Sequence, residues 1–462
     1  MQTTIPSTII GRQQLCYQTG LTHDLAFRLK QLKILKQAIR KHQDDIIQAV
    51  NEDMGKPPFE ALTSEIVATL TQLDLMIKHL PVWIKPVSYK MPVGHWPGRC
   101  YVLPEPYGVV LIMAPWNYPF QLAMVPLIGA MAAGNCAVVK PSEISANTSR
   151  VIAKMIAEHF DPEYISVVEG GVEVGRELLE QRWDFIFFTG SPRVGKIVMN
   201  AASRHLTPLI LELGGKSPCI VDKDVNIKVA VRRIIQGKIF NAGQTCLAPD
   251  FALVHKEIKE EFITLMDEAL HQMYGDFMQP AIDMARIINS HHFNRLVGLI
   301  DPARVVIGGT YDAFSRYIAP TVIDGVQWDD AIMQEEIFGP LLPVIEYESL
   351  DEALEKIIKF GKPLSLYFFS NNKKQQKKVI HETRSGSVCI NDSIIHFIIS
   401  RLPFGGVGDS GMGQYHGRAS FEAFSHKKSV LKKSLWYDVH IRFAPYTLSN
   451  RQAEWLYKLF SG

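Results

Sequence analysis

Nothing in this chain pairs cysteines for a disulfide or a metal. Its six cysteines, Cys16, Cys100, Cys136, Cys219, Cys246 and Cys389, lie far apart, with no C-x-x-C and no His-Cys cluster at ligand spacing. That pattern argues against a disulfide framework and a structural zinc, and for a reducing, cytoplasmic setting. Charge of one sign is also missing. Against 49 Lys and Arg stand 47 Asp and Glu, a net +2 that gives no general pull on nucleic acid or on an acidic substrate. Met1 to Ile10 lack a basic region followed by a long apolar core, so a secretory signal is not expected. No internal repeat, low-complexity linker or G-x-G-x-x-G stands out.

One stretch lacks charge altogether, with no Asp, Glu, Lys or Arg from Pro106 to Val139. It has the length of a membrane span, which needs about 20 apolar residues. Pro115, Asn117, Pro119, Gln121, Pro126, Gly134 and Asn135 break it, however, with helix breaks and polar groups that lipid does not satisfy. It reads as a buried strand, a buried helix and a second strand.

What is present is an alternation of short apolar runs with helical patterns. At 462 residues the chain exceeds what one hydrophobic core serves, so two or more domains are expected. The runs Gly108–Met113, Cys136–Val139, Ile165–Val168, Phe185–Phe188 and Leu209–Glu212 form one series. Ser217–Val221, Phe251–Val254, Leu342–Ile345, Leu364–Phe369 and Gly386–Ile390 form a second. Strands apolar on both faces with helices between them predict an α/β protein of two doubly wound, Rossmann-like domains with a boundary near Leu213. Leu25 to Val50 carries Leu29, Leu32, Leu35, Ile39, Ile46 and Ile47 at helical spacing, an amphipathic surface helix. Pro81 to Pro97 suits an exposed β-arm. The Lys-rich stretches 373–378 and 427–433 read as solvated faces.

Chemistry concentrates in polar turns at the ends of these runs. Cys246 closes Asn241-Ala-Gly-Gln-Thr-Cys246, and Glu212 opens Glu212-Leu-Gly-Gly-Lys216. A free cysteine is usually a small buried hydrophobe; in a Gly-containing turn its thiolate can attack a carbonyl, provided an electropositive environment lowers its pKa. A carboxylate such as Glu212 can then activate the water that hydrolyses a thioester. Asn117, just after a buried strand, either makes an Asx turn into Pro119 or donates its amide to an oxyanion. The turn Gly190-Ser191-Pro-Arg-Val-Gly195-Lys196, between a strand and a helix, suits a pyrophosphate. It mimics a P-loop, but Ile197 stands where a magnesium-binding hydroxyl would be, which weakens an ATPase reading. Lys140 and Glu143 can bond vicinal ribose hydroxyls, or form no more than a helix cap.

Seven motifs in this order resemble the NAD(P)-dependent aldehyde dehydrogenases over nearly the whole chain. They are Pro115–Pro119, Lys140–Glu143, Phe188–Ser191, Leu211–Lys216, Gly243–Cys246, Glu335–Pro340 and Pro403–Gly408. The short N-terminus and Ser410–Gly417 resemble the class 3, fatty-aldehyde-like branch, which is typically dimeric. The resemblance implies Cys246 as nucleophile, Glu212 as general base and Asn117 as oxyanion donor. It implies a cofactor site of Trp116, Lys140, Glu143, Gly190, Ser191, Gly195, Leu213, Glu336 and Phe338. It also divides the chain into a dinucleotide-binding domain (1–80 and 101–212), a catalytic domain (213–392), an oligomerisation arm with bridging strands (81–100 and 393–440) and a tail helix (441–462).

Two rivals stay open. One is a CoA-acylating or acyl-phosphate-linked reductase, which keeps water from the thioester and so has no use for Glu212; the other is a scaffold that kept the fold without catalysis. Tyr118 with Ile394, Ile395, Phe397 and Ile398 is expected to line a tunnel for a long or otherwise lipophilic aldehyde, or to pack the dimer arm. The carboxylate of Glu143 favours NAD over NADP by repelling a 2′-phosphate, and no metal is implied. Ser449–Gln452 resembles a capping box for a short helix with Ala453, Leu456 and Phe460 on one face. That helix is expected over the tunnel mouth or on a partner subunit, with weak peripheral membrane contact aided by Lys427 to Lys433 as the lesser reading.

Overall fold

The computed structural model describes residues 6–92, 95–276, 281–436 and 443–460, the first two and last two by backbone only. The Phe460 side chain, residues 93–94 of the expected arm, and 437–442 where arm and tail join lie outside the described residues.

The charge-free stretch folds as strand Val109–Met113, helix Gln121–Ala133 and strand Cys136–Lys140, every residue of the three buried. Each large apolar side chain buried this way contributes roughly 1.5–3 kcal/mol, which is why such runs become central strands. They form the middle of a six-stranded sheet. Its order is Gly411–Met412, Leu209–Glu212, Phe185–Thr189, Val109–Met113, Cys136–Lys140, Ile165–Val167, all parallel except the short first strand. Strand order reverses between Val109–Met113 and Phe185–Thr189, and ligands of open α/β sheets bind at the carboxyl ends beside such a reversal.

The second series builds a seven-stranded sheet. Its order is Val305–Ile307, Thr321–Ile323, Leu341–Tyr347, Phe251–His255, Pro218–Val221, Ser365–Phe369, Ser387–Ile390, with only the outermost Val305 strand antiparallel. A third, three-stranded sheet of Val87–Tyr89, Gly98–Pro106 and Ser425–Lys433 is the β-arm. The chain is thus α/β, with two doubly wound sheets and a small arm.

Three expectations change in detail. The helix read from Leu25 to Val50 is two, Leu25–Lys41 and Gln43–Met54, broken at His42, whose buried ring meets Asp45 and Glu158. Pro81 lies inside the last turn of helix Ala68–Trp83, so the arm begins later, at Val87. The tail helix Asn450–Phe460 does begin at Ser449, whose backbone N–H and hydroxyl both donate to Gln452 Oε1. It does not cover the tunnel: it contributes no lining residue, and Trp455 and Tyr457 are 63% and 73% exposed. Among the described residues no helix is long and apolar enough to cross a membrane.

Asn135 locks the first sheet to the arm. Fully buried, its Oδ1 accepts from the N–H of Gly108 (2.9 Å), and its Nδ2 donates to the carbonyls of Phe424 (2.9 Å) and Ala130 (3.2 Å). Asn135→Leu leaves the Gly108 N–H and the Phe424 carbonyl unpaired at about 1–3 kcal/mol each, while the Ala130 carbonyl keeps the backbone N–H groups of Gly134 and residue 135, so thermal unfolding should show a clearly lowered Tm. An unchanged Tm would mean the two groups find other partners.

Candidate active site

Each motif sits at an end of a strand, and the two sheets contribute opposite ends. In the first sheet the residues stand at carboxyl ends: Asn117 comes after Met113, Lys140 ends its strand with Glu143 just beyond, Gly190 follows Thr189, and Glu212 ends its own strand. In the second sheet they precede amino ends: Gly214 to Lys216 lead into Pro218, Cys246 into Phe251, and Glu336 into Leu341. The site lies where these ends meet.

The Cys246 loop is held in a strained shape. Asn241 and Ala242 both take left-handed backbone angles, at φ 55° and 51°, in a turn that continues helix Ile227–Ile239. Side-chain bonds over-determine it: Asn241 Nδ2 donates to the carbonyls of Asn117 (2.9 Å) and Gln244 (3.0 Å), and Gln244 Nε2 donates to Arg286 O (3.0 Å). Such strain persists only where surrounding structure fixes it, and it clusters at functional sites. Asn117 Nδ2 donates to Gln244 O at 3.0 Å, which puts its carboxamide two residues from Cys246 and leaves its second N–H uncommitted in that bond.

Cys246 and Glu212 line one cavity of about 360 Å³. Tyr118, Ile394, Ile395, Phe397 and Ile398 line it too, so the apolar loop belongs to the cavity wall. Tyr118 donates to or accepts from Thr245 Oγ1 at 2.7 Å. Further wall residues are not assigned to the site by sequence, although Phe404, Tyr415 and His416 lie in the Pro403–Gly408 and Ser410–Gly417 stretches. Tyr415 and His416 form the floor with Phe397 and Phe404, ring centroids 4.5–5.9 Å apart. Phe59, Thr63, Ser64, Val67 and Thr71 form a helical side. The hydroxyls there turn back on their own helix, Thr63 to Phe59 O, Ser64 to Glu60 O and Thr71 to Val67 O, so a polar-looking sequence presents an apolar face.

Among the described residues no cation activates the thiol, contrary to the expectation from sequence. Burial pushes the Cys246 thiol up, and the carboxyls of Glu336 and Glu212 push in the same direction; only the backbone amides of Cys246 and Leu247 oppose them. Burial also holds the Glu212 carboxyl well above its usual range, and neither of its oxygens has a hydrogen-bond partner. Both shifts favour the protonated, neutral forms. His416, without a partner at either ring nitrogen, is lowered to about 3 by burial and stays neutral.

The opposite side of Cys246 fits a dinucleotide. Ser191 caps helix Pro192–Ser203 by accepting from Val194 N–H, at a helix N-terminus of the kind a pyrophosphate would suit. A Cβ at Gly195 would come 2.8 Å from Leu213, so glycine is what lets that helix lie close. Glu336 rests on the backbone of Gly214, where a Cβ would come 2.1 Å from its Oε2, and its Oε1 is buried without a partner. Its carboxyl accepts from the Gly215 backbone, and the buried Oε1 left over is what a ribose hydroxyl would satisfy. Trp116 packs edge-on against Phe338, centroids 5.3 Å apart, and Lys140 Nζ donates to Glu143 Oε2 at 3.0 Å.

Residues 22–430 match the aldehyde dehydrogenase family. The chain belongs to it. A 4,4'-diaponeurosporen-aldehyde dehydrogenase of Staphylococcus aureus is 48% identical over 93% of this chain and 94% of its own length. Aldehyde dehydrogenase family 3 member A2 of Pongo abelii is 45% identical over 92% of this chain and 88% of its own. A dimeric NADP-preferring aldehyde dehydrogenase of Canis lupus familiaris is 44% identical over 94% and 96%. The substrate-bound structure of Staphylococcus aureus AldH superposes with a TM-score of 0.96 at 46% identity, covering 98% of this chain and all of that one. The protein is an NAD(P)-dependent aldehyde dehydrogenase of the class 3 branch, and it oxidises an aldehyde to the carboxylic acid.

In this dehydrogenase, burial followed by Asp250 raises the Glu336 carboxyl from its usual 4.5 to about 8. The folded protein then keeps a proton that the unfolded chain gives up, so stability falls as pH rises from 4.5 to about 8. Glu336→Gln removes that loss. Without nucleotide the variant should match the parent near pH 4.5 and exceed its Tm at pH 8 and above; equal differences at both pH values would refute the assignment.

Proposed function

We propose that Cys246 is the nucleophile, Glu212 the general base, and Asn117 with the Cys246 N–H the donors to the oxyanion. The observation that carries this is geometric: Cys246 and Glu212 share one cavity, and Asn117 bonds the carbonyl two residues before Cys246. Once deprotonated, the Cys246 sulfur attacks the aldehyde carbon, and the oxygen takes up the electron pair as an oxyanion facing Asn117. Bound NAD or NADP supplies the hydride acceptor, through contacts with Trp116, Lys140, Glu143, Gly190, Ser191, Gly195, Leu213, Glu336 and Phe338. Loss of hydride leaves a thioester on Cys246. With its own proton first passed to solvent, Glu212 takes a proton from water as the water oxygen attacks the thioester; the C–S bond breaks, the acid leaves, and the Glu212 proton passes to the Cys246 sulfur. A hydrolytic base in the cavity favours this over CoA acylation.

The substrate we propose is an aldehyde with a long apolar body. The wall offers Phe59, Val67, Ile394, Phe397 and Ile398, with its hydroxyls turned away. Each methylene buried there contributes ~0.8 kcal/mol. The Staphylococcus aureus relative named for diaponeurosporen-aldehyde agrees with this reading. NAD is the favoured nucleotide because the Glu143 carboxylate would repel a 2′-phosphate, although one relative is named NADP-preferring. We assign residues 1–80 and 101–212 to nucleotide binding and 213–392 to catalysis.

Reduced-nicotinamide absorbance tests these roles together. Cys246→Ala should abolish turnover, and Glu212→Gln should lower kcat by roughly 10²–10⁴-fold while keeping a single burst of reduced nucleotide. In the parent, kcat/KM should climb with aldehyde chain length and be higher with NAD; turnover surviving in Cys246→Ala would sink the mechanism, and values falling with length would sink the tunnel.

We also propose a homodimer through the arm, whose outer strand Ser425–Lys433 is an edge with Leu431 62% exposed. A cytoplasmic protein with weak peripheral membrane contact through the tail fits the exposed Trp455, Tyr457 and Lys427 to Lys433. Sedimentation reads both: a dimer in buffer, and partial pelleting with anionic vesicles that is lost when residues 443–462 are removed. A monomer, or pelleting that survives the truncation, would overturn the respective assignment.

A further inference from the structure

Residues 56–65 hold buried charges that the chemistry above does not use. Lys56 and Glu65 are both fully buried, and Lys56 Nζ donates to Glu65 Oε1 at 2.7 Å. Glu65 lies in a π-helical turn, Leu62–Val67, a distortion that often marks functional sites. Its Oε2 accepts from the N–H groups of Phe120 (3.2 Å) and Gln121 (2.9 Å), at the positive end of helix Gln121–Ala133. Lys56 Nζ also donates to the carbonyl of Asn117 (3.4 Å) and stands 4.2 Å from the Tyr118 ring centroid. The same carbonyl accepts from Asn241 Nδ2, and the Asn241 N–H donates to buried Glu60 Oε1 (2.8 Å). Lysine and carboxylates thus hold both ends of the 117–121 turn and the start of the Cys246 loop.

A buried ion pair adds little net stability over an apolar pair of the same shape, because desolvation offsets the attraction. What it adds is fixed geometry. Neither Lys56 nor Glu65 lines the cavity, and Lys56 is absent from the charges that act on the Cys246 thiol.

We propose that Lys56 and Glu65 are positioning residues for the oxyanion site: they clamp the backbone on both sides of Asn117 and so aim its carboxamide at the oxygen of an aldehyde attacked by Cys246. The proposal rests on Asn117 being the oxyanion donor. The test is a double-mutant cycle in the full-length protein, with kcat, KM and the rate of Cys246 alkylation by iodoacetamide as readouts. Losing an oxyanion donor costs about 10²–10³-fold in kcat, so misaiming it through Lys56→Met should cost on the order of tenfold or more. KM for the aldehyde and the alkylation rate should stay within about twofold of the parent, since substrate and thiol are untouched. Lys56→Arg should restore most of kcat. In an Asn117→Ala background Lys56→Met should cost nothing further, because its effect runs through that side chain. Glu65→Gln, isosteric and uncharged, serves as the second variant if Lys56→Met does not fold, with the same pattern expected.

An equal loss in the Asn117→Ala background would overturn the proposal, as would alkylation slowing in step with kcat or a lowered Tm with kcat intact. If Asn117→Ala alone leaves kcat unchanged, the oxyanion assignment itself fails, and this proposal with it. If Asn117→Ala is impaired while both Lys56→Met and Glu65→Gln are normal, only the positioning role fails.

Discussion

The hydrogen bond from the Asn117 carboxamide to the Gln244 carbonyl is the contact on which the site depends. It joins a loop leaving the first sheet to a loop entering the second, so the position of the proposed donor is set by the position of the proposed nucleophile's own turn. Asn241 repeats the link in the opposite direction by donating to Asn117 O. Because the sheets bring opposite strand ends to the crevice, this pair is built from both sheets. Relative sliding of the sheets would lengthen both bonds at once. The Lys56–Glu65 pair anchors the same turn from behind, which makes the junction stiff where two folded units meet.

Much of the fold is legible in sequence because its strands are buried on both faces. Val109–Met113 and Cys136–Lys140 show themselves as unbroken apolar runs, and Gly and Pro punctuate them. The motif turns are equally legible, since a thiol, a carboxylate and a carboxamide in Gly-containing loops stand out against a core. What sequence does not give is convergence. A rule that ligands gather at carboxyl ends of strands finds Asn117, Gly190 and Glu212, and misses that Cys246 and Glu336 arrive from amino ends. Tyr415 and His416 lie in the recognisable Ser410–Gly417 stretch, but only packing shows that they reach the cavity. Thr63, Ser64 and Thr71 look polar until their hydroxyls are seen bonded to their own helix. The break at His42 escapes the periodicity because the apolar spacing runs on across it: Ile39, Ile46 and Val50 stay in phase within the core.

Charge was the poorest guide. Sequence chemistry asks for a cation near the thiol, and the structure offers two carboxyls instead. Two buried ammonium groups nearby are committed or remote in effect: Lys56 is paired with Glu65, and Lys238 has its Nζ buried without a partner, with burial lowering it to about 8. Cys246 and Glu212 therefore wait in their neutral forms. A protonated thiol of this kind is a weak nucleophile toward adventitious electrophiles, while the same burial strengthens any electrostatic help the site gives once it is assembled around its ligands.

Burial of the site also bears on hydrolysis and its rivals. A thioester in an apolar cavity survives until water reaches it beside a base, and Glu212 is the carboxyl that lines the cavity with Cys246. Neither Glu212 oxygen bonds another protein group, so both stay available to a water that enters the cavity. Glu336 likewise keeps Oε1 without a protein partner, while its carboxyl accepts from the Gly215 backbone. On the proposed roles, each free oxygen answers to a group that arrives for turnover: water at Glu212, a ribose hydroxyl at Glu336.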